Sequence, residues 1–361
     1  MNTPAYPAEF VFPGHPDKLC DAIADALVER AAAAEQRSLC GVEVAIHMST
    51  VFVSGRIAGE GAPDIDVTAV VREVYSSAGY GDGWNPHPEA LQVKTALCLG
   101  PLNPGEAEFR SVSDDQSVVT GYAVDSPETN YLPPEHWLAA ALGRRLERLR
   151  EQRPELQLGP DGKVLVVCDP EKLRLDMFSA SLQQAVGGDE IELNRAVREA
   201  VKVELDAIGW SAGDVFFVNG AGNFEVGGPE GDNGLSGKKL VVDAYGPRVA
   251  IGGGALSGKD FYKVDRAGAL LARRVAKAVV VTGRARECRA TLAVFPGDTE
   301  LRVVRIEAED GRWIDPKPWT SLIDLSLAAA GDRWARTPNL RAVARYGHFN
   351  DATLDWEQLR L

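Results

Sequence analysis

The residues whose types and spacing best suit chemistry lie in one glycine-rich stretch, residues 226–277. Ten of the chain's 36 glycines fall between Gly227 and Gly258. Because glycine has no Cβ, backbone N–H groups in such turns can approach an anion closely. The same turns carry compact positive charges suited to phosphate oxygens, on Lys238, Lys239, Lys259 and Lys263. In a chain of formal net charge −13 these cations predict a polyphosphate site, the alternative being that each lysine is simply solvated.

A second dense motif, FPGHPDKL, covers residues 12–19. Pro16 and Asp17 indicate the start of a helix, with apolar residues following at helical spacing. In one interpretation Asp17 only caps this helix and His15 is an ordinary loop histidine. In the other, an imidazole N–H, an acidic metal ligand and a helix N-terminus lie within one turn of each other. That combination would suit an anion bound together with Mg²⁺.

The composition limits the class of protein. A length of 361 residues allows two or three domains, and 45% hydrophobic with 25% charged residues is a globular mixture. The negative net charge argues against nucleic-acid binding, which needs a basic face. There is no run of about 18 apolar residues to predict a membrane span, and the first ten residues lack the features of a secretory signal. Five scattered cysteines without a CxxC pair argue against structural zinc and disulfides. Together these features predict a cytoplasmic protein with no membrane partner.

Strand and helix patterns alternate in groups, which predicts an α+β fold with sheet faces covered by helices. Residues 42–48 and 50–57 predict an antiparallel strand pair, and Glu43 lies in the first strand. Residues 99–116 predict a loop, and long loops in compact domains are often lids. Residues 159–163, GPDGK, predict a hairpin turn. The other predicted elements are helices at 64–79, 135–152 and 191–208, strands at 164–168, 173–178 and 214–219, and a helix beginning near Val264.

One interpretation of the glycine-rich stretch is a P-loop, as in kinases and ATPases. Residues 253–260, GGALSGKD, differ from the P-loop pattern at one position, because Asp260 stands where a hydroxyl must bind Mg²⁺. A P-loop also needs a helix directly after its lysine, whereas here the helix is predicted to start near Val264. The P-loop interpretation therefore fails at two points.

The other interpretation comes from seven segments that together resemble S-adenosylmethionine synthetases (methionine adenosyltransferases). They follow the family's order from about residue 9 to residue 356, which is nearly the full chain. The segments are GHPDK at 14–18, GGP at 227–229, GDNGLSGKK at 231–239, VDAYG at 242–246, GGGALSGKD at 252–260, KVDR at 263–266 and YGHF at 346–349. On these motifs the chain is identified as a member of the family.

The resemblance implies three similar α+β lobes around a pseudo-threefold axis, each a mixed sheet covered by helices. The lobes would span residues 1–98, 111–225 and 226–361, with some exchange of segments and a lid loop at 99–110. Two chains would form a homodimer that shares its active sites, or a tetramer. In such enzymes the sulfur of L-methionine attacks the ribose C5′ of ATP. The departing tripolyphosphate is then hydrolysed to pyrophosphate and phosphate.

The resemblance also implies roles for single residues. His15 matches the histidine near the breaking C5′–O bond. Asp17 and Asp265 match the ligands of two Mg²⁺ ions per site. Glu43 matches a K⁺ ligand.

The implied contacts to ATP and to the acceptor come from several parts of the chain. Catalytic lysines on the triphosphate would be Lys163, Lys239 and Lys259. Further ATP contacts would be Lys238, Asp161, Phe224 and Ala255. The amino-acid substrate would lie near Asp232 and Lys263, and Asp115 would be lent by the neighbouring chain.

The chain departs from the family where methionine should bind. Arg56 stands where the family has a glutamate for the methionine ammonium, and the lid loop is shorter than usual. One explanation keeps L-methionine as the acceptor, with Arg56 turned outward and another acid in use. A second is a different small-molecule acceptor that lacks an ammonium or carries an extra carboxylate. The third, a non-catalytic ATP-binding relative, is disfavoured by the retained lysines and metal-binding aspartates.

Overall fold

Strands and helices alternate in groups through residues 5–359, the part of the chain that the computed structural model describes. The strands are β1 (Tyr6–Val11), β2 (Leu39–His47), β3 (Thr50–Ala58), β4 (Gln92–Gly100), β5 (Ser117–Val124), β6 (Leu158–Asp169), β7 (Arg174–Gln184), β8 (Ser211–Val218), β9 (Gly234–Leu235), β10 (Glu287–Val294) and β11 (Arg302–Ala308). The helices are α1 (Pro16–Ala34), α2 (Val67–Ala78), α3 (Pro134–Gln152), α4 (Glu190–Ile208), α5 (Leu240–Asp243), α6 (Val264–Val281), α7 (Lys317–Leu322), α8 (Leu327–Trp334) and α9 (Leu340–Tyr346). The ends of the first and last predicted lobes, residues 1–4 and 360–361, lie outside the described part.

The strands form three sheets, which confirms the predicted α+β class. Their orders are β4-β3-β2-β9, β1-β6-β7-β8 and β11-β10-β5. The first two are mixed, because β3 pairs with β4 and β7 with β8 in parallel, whereas the third has antiparallel pairs throughout. Helices α1 and α2 pack on the first sheet, α3 and α4 on the second, and α6 on the third.

Each sheet joins strands from distant parts of the sequence. Strand β1 pairs with β6, β9 pairs with β2, and β5 pairs with β10. These pairings bring the loop after β1, the turn after β9 and the start of α6 to neighbouring positions. The elements that carry the predicted site residues therefore meet, although they are far apart in the chain.

Most predicted elements are confirmed, with small shifts of their ends. The strand pair β2–β3, the helices α3 and α4 and the start of α6 lie where the sequence predicts them. Helix α2 begins at Val67 instead of residue 64, because Asp66 accepts the N–H of Ala69 as the cap and a separate 3₁₀ turn precedes it. Gly79 ends this helix with a positive φ, as predicted.

The predicted hairpin turn at residues 159–163 is wrong. These residues lie inside β6, where the pairing with β7 is irregular between Leu158 and Gly162. The Gly162 carbonyl accepts the N–H of Phe12, and the Asp161 carboxylate accepts the N–H of Gly228. These long-range bonds override the local turn preference of Pro-Asp-Gly.

Helix α1 is central to the fold. Its residues from Pro16 to Val28 are buried on all sides, and its apolar members belong to the larger of two hydrophobic clusters. The second cluster joins β1, β6 and β7 with α3 and α4. Because α1 is buried all round, each of its charged side chains needs a partner. In residues 5–359 no helix combines the length and the apolar character needed to cross a membrane.

Candidate active site

His15 is the N-cap of α1 and is only 2% exposed. Its Nδ1 accepts the backbone N–H of Asp17 at 3.2 Å, which places the ring proton on Nε2. Burial, helped by the nearby charges of Lys163 and Lys239 and opposed by that of Asp17, lowers the pKa of His15 to about 3. The histidine is therefore a neutral N–H donor at neutral pH.

Asp17 connects the start of α1 to the first lysine-bearing turn, residues 231–239. Its Oδ2 lies 2.9 Å from the Lys239 ammonium, and its Oδ1 lies 3.5 Å from that of Lys238. The Oδ1 atom also accepts the N–H of Leu235 at 3.0 Å. Burial alone would raise the pKa of Asp17, but the contacts with Lys239 and Leu235 outweigh it and hold that pKa below its usual value. The carboxylate is therefore ionised.

The second lysine-bearing turn, residues 252–260, is likewise joined by an ion pair to the start of a helix, here α6. Asp265, in the first turn of α6, lies 2.5 Å from the Lys259 ammonium and accepts the Ser117 hydroxyl at 2.7 Å. A Cβ on Gly254 would lie 2.3 Å from Cγ of Asp265, so only glycine allows this approach.

The two turns also touch each other. A Cβ on Gly237 would lie 2.6 Å from Cβ of Ala255. The structure therefore brings together Lys238, Lys239, Ala255, Lys259, Asp17 and Asp265. These are six of the residues predicted to bind phosphate, nucleotide or metal.

Strand β6 brings further predicted residues beside His15. Lys163 is exposed and lies opposite Val11, the last residue of β1. Asp161 is buried, its Oδ2 accepts the N–H of Gly228 at 2.7 Å, and burial raises its pKa to about 6. The ring of Phe224 lies next to Gly227, where an added Cβ would be 2.9 Å from Cζ. The N-terminal end of α1 therefore has four predicted site residues around it: His15, Lys163, Asp161 and Phe224.

Other predicted residues lie at the edge of this group. Asp232 is exposed but close enough to raise the pKa values of both His15 and Asp161. Lys263 caps α6 and forms an ion pair with Asp114. Glu43 is exposed on β2 and accepts the Ser236 hydroxyl at 2.7 Å.

Asp115 is not joined to the site within this chain. It is exposed, and its carboxylate accepts the N–H of the next residue, Gln116, at 2.7 Å. Its predicted role in a neighbouring chain stays a prediction.

Arg56 does not turn outward as a free cation. Its Nε and Nη2 donate to the two oxygens of Glu106 at 2.7 and 2.8 Å, and Nη2 also donates to the Pro101 carbonyl at 3.0 Å. Glu106 belongs to the predicted lid loop, which also contains a 3₁₀ turn at Glu108–Arg110. The far end of this loop is fixed by Arg110, which donates to Asp260 at 2.8 Å.

The contacts of Asp260 exclude the P-loop arrangement. Its Oδ2 accepts the N–H of Cys40 at 2.7 Å, and its Oδ1 accepts the N–H of Tyr262 at 2.8 Å. The residue is buried and is not available to a metal as a P-loop hydroxyl would be. In addition, α6 begins at Val264 rather than directly after Lys259.

Two residues that contact the lysine-bearing turns were missed in the sequence. Asp21 accepts the N–H of Gly237 at 2.8 Å, and Asp25 accepts the N–H of Gly258 at 2.9 Å. With Asp17 they repeat at every fourth position of α1, which places all three on one helix face. That spacing, in a helix whose other residues are mostly apolar, was the available signal.

The carboxylates fit metal ions that are bound partly by substrate. Among residues 5–359 no group of three or more His, Cys, Asp or Glu side chains could hold a metal by itself. Mg²⁺ typically takes one or two protein carboxylates and completes its shell with substrate phosphates and water. Asp17 and Asp265, each beside a lysine of a glycine turn, offer that donor set.

Comparison with known proteins covers nearly the whole chain. Models of the N-terminal, central and C-terminal domains of S-adenosylmethionine synthetase match residues 4–98, 110–224 and 226–358. The chain is also 30% identical over 403 aligned positions to the S-adenosylmethionine synthase of Thermosynechococcus vestitus, covering 98% of this chain and 95% of the relative. The chain therefore belongs to the S-adenosylmethionine synthetase family and is a transferase of the methionine adenosyltransferase type.

Proposed function

We propose that this transferase moves the adenosyl group of ATP to the sulfur of L-methionine and cleaves the released tripolyphosphate to pyrophosphate and phosphate. The observation that carries the proposal is the convergence of two lysine-bearing turns on the starts of α1 and α6. Lys239 lies on Asp17 at the first helix, and Lys259 lies on Asp265 at the second. This arrangement supports a site for a chain of phosphates.

The residue types fit a displacement without proton transfer. A thioether has no proton to lose when it becomes a sulfonium, so no general base is required. Negative charge develops on the oxygen that leaves C5′, and fixed N–H donors and cations would stabilise it. His15 can offer its Nε2–H, and Lys163 is close enough to lower the pKa of that histidine. The rest of catalysis would come from the alignment of sulfur, C5′ and the leaving oxygen.

Asp17 and Asp265 would hold the two Mg²⁺ ions, and Glu43 a K⁺ ion. Bound Mg²⁺ supplies charge that neutralises the phosphates and the leaving oxygen. The lysines that now contact these carboxylates would turn to the phosphate oxygens when ATP binds. The base and ribose would lie near Asp161, Phe224 and Ala255.

A homodimer is part of the proposal. The sheet of β6, β7 and β8 exposes apolar side chains on one face: Leu165, Met177, Val215 and Phe217. An exposed apolar face of this kind suits contact with a second copy. The resemblance implies that Asp115 would contribute to the site of the other chain in such a dimer. Sedimentation velocity of the full chain should give a dimer or tetramer, and a monomer at micromolar concentration would contradict this assembly.

One observation favours a second candidate, adenosyl transfer to a different acceptor. Arg56 forms an ion pair with Glu106, and the resemblance implies that the position of Arg56 normally holds a glutamate for the methionine ammonium. An acceptor carboxylate could replace Glu106 on Arg56, whereas an ammonium could bind Glu106 instead. The cation at this position gives an acceptor carboxylate a partner that methionine's ammonium does not need, and this favours the second candidate.

The decisive experiment incubates the full chain with ATP, Mg²⁺ and K⁺. One arm contains L-methionine, and the others contain sulfur, amine and carboxylate compounds. Mass spectrometry should show S-adenosylmethionine in the first arm, with pyrophosphate and phosphate released and no ADP. An adenosylated product only in another arm would establish the second candidate. Release of ADP, or no turnover in any arm, would contradict both.

A further inference from the structure

Helix α1 carries a row of carboxylates that bind backbone N–H groups of the glycine turns. Asp17, Asp21 and Asp25 are four residues apart and 0% exposed. They accept N–H groups from Leu235 at 3.0 Å, Gly237 at 2.8 Å and Gly258 at 2.9 Å, respectively. One buried helix therefore binds two turns that lie more than 200 residues later in the sequence.

The second oxygen of each carboxylate lies beside a cation. Asp17 has Lys239, Asp21 has Lys18 at 3.3 Å, and Asp25 has Arg266. Each carboxylate is thus held from one side while it binds a turn on the other. Such two-sided contacts fix the orientation of a side chain and of the backbone group that it accepts.

The bound N–H groups lie directly before the predicted phosphate lysines. Gly237 precedes Lys238, and Gly258 precedes Lys259. Both glycines have positive φ, +70° and +86°, and a Cβ on Gly258 would lie 2.2 Å from the Val42 carbonyl. The two turns are therefore fixed closely against their surroundings. Because a helix rises 1.5 Å per residue, acids four positions apart hold them about 6 Å apart along α1.

We propose that Asp21 and Asp25 are positioning residues for the phosphate-binding lysines. By binding Gly237 and Gly258 they set the orientation and separation of the turns that carry Lys239 and Lys259. This inference rests on the proposed function, in which those lysines bind the triphosphate of ATP. Asp21 and Asp25 do not themselves touch substrate.

A purely structural role would instead be the neutralisation of Lys18 and Arg266. The same helix offers a matched control. Glu29, the next acid in the row, accepts the N–H groups of Asn339 and Leu340 at 3.0 Å each. It makes the same kind of bond at the start of α9, where no predicted site residue lies.

The first test measures hydrogen exchange of the ligand-free full chain. Asp21→Ala should increase exchange in residues 231–239, and Asp25→Ala in residues 252–260. Glu29→Ala should increase exchange around residue 340 and leave both turns protected. Unchanged protection of both turns in the aspartate variants would overturn the proposal. Fast exchange of the Gly237 and Gly258 amides in the parent would overturn it as well.

The second test measures binding of inorganic tripolyphosphate with Mg²⁺ by calorimetry. Asp21→Ala and Asp25→Ala should each weaken binding by at least about tenfold, because the lysines lose their fixed positions. Asp21→Asn and Asp25→Asn keep an acceptor oxygen and should recover most of the affinity, while Glu29→Ala should match the parent. Parent-like affinity in folded alanine variants would contradict the proposal.

Two further points keep the outcomes distinct. If an alanine variant does not fold, Asp21→Leu and Asp25→Leu fill the same space without an acceptor and serve in its place. If the parent itself does not bind tripolyphosphate, the proposed function is wrong. The exchange experiment would still decide whether the two aspartates fix the turns.

Discussion

The lysine-bearing turns and the lid loop are both loops fixed by carboxylates, but they are fixed in different ways. The turns at 231–239 and 252–260 are bound through backbone N–H groups by fully buried aspartates of α1. The lid loop is bound at Glu106 through its side chain, and the side chains of Arg56 and Glu106 are 27% and 16% exposed.

This difference separates what the molecule keeps rigid from what it can change. A buried carboxylate that loses its partner is costly, so the turns have few alternative positions. A partly exposed ion pair contributes about 1 kcal/mol or less, so the lid can exchange it for a substrate or for water. We call the part of the proposed site around His15, Lys163 and the two turns the phosphate side, and the part around Arg56 and Glu106 the lid side. We therefore expect the phosphate side to tolerate few substitutions and the lid side to tolerate many.

The largest effect should come from removing a donor on the phosphate side. His15→Ala and Lys163→Ala should each lower kcat by on the order of 10²–10³, which corresponds to about 3–4 kcal/mol. The reason is the loss of one fixed donor near the leaving oxygen. Steady-state kinetics with ATP and L-methionine would measure it. The exposed residues His47 and Lys202 supply matched alanine controls, which should retain parental turnover. Near-normal turnover in either site variant would remove its assigned role.

Asp161, which binds Gly228 before the first turn, and Glu106 on the lid should respond to pH with opposite signs. Burial raises the pKa of Asp161 to about 6, so its contribution to stability is present below pH 4 and is lost as the pH rises through 6. Relative to Asp161→Asn, the parent should lose about 3 kcal/mol of unfolding free energy over that range. Urea unfolding between pH 4 and pH 8 would measure this difference.

Glu106 on the lid provides the opposite case. Its hydrogen bonds with Arg56 lower its pKa against a small effect of burial, so its contribution is present above its usual pKa and is lost on acidification. Glu106→Gln should therefore approach the stability of the parent as the pH falls below about 4. The same sign for both variants would contradict the comparison.

A smaller loss of unfolding free energy should distinguish a steric clash from backbone strain at two glycines. Gly258→Ala places a Cβ 2.2 Å from the Val42 carbonyl, whereas Gly283 has a similar positive φ and nothing within 4 Å. Both alanines suffer the strain of a left-handed backbone, about 1 kcal/mol, but only Gly258→Ala should cost about 2 kcal/mol more. Chemical denaturation would compare the free energies of unfolding. Equal losses would show that the turn has room to move.

The smallest effect is expected at the lid. A double-mutant cycle on Arg56→Ala and Glu106→Ala should give a coupling free energy of about 1 kcal/mol or less. The single variants should change the KM of the acceptor more than the KM of ATP. The double variant that exchanges the pair, Arg56→Glu with Glu106→Arg, should restore the parental KM of the acceptor. An equal change in the KM of ATP would place the pair on the phosphate side.

The sequence predicts what depends on local chemistry. GHPDK and the two glycine-lysine turns are recognisable because their residue types and spacing suit an anion and metal site. The structure brings most of these residues together around His15 and Asp17. The starts of α1 and α6 are likewise local features, marked by Pro16 and by the end of the glycine turn.

The sequence does not predict what depends on distant partners. Arg56 and Glu106 meet because the chain returns along β4, and no local pattern joins them. The turn expected at 159–163 is wrong because Phe12 and Gly228, far from it in the chain, bind its backbone and side chain. Asp21 and Asp25 resemble ordinary helix acids until the turns that they bind are placed beside them.

Strand β1 has a consequence for the order in which the molecule can be built. It is synthesised before the strands of the first sheet, and its partner β6 follows only after β2, β3 and β4 have been made. Helix α1 gains a further partner later still, because α9, whose first N–H groups bind Glu29, follows α6, α7 and α8 in the chain. A nascent chain thus carries the histidine of the proposed site early and cannot complete that site until Asp265, at the start of α6, has been made. Cutting the chain between β4 and β6 would separate β1 from the other strands of its sheet. Each fragment would then expose apolar surface, so the fragments should need each other, or a chaperone, to stay in solution.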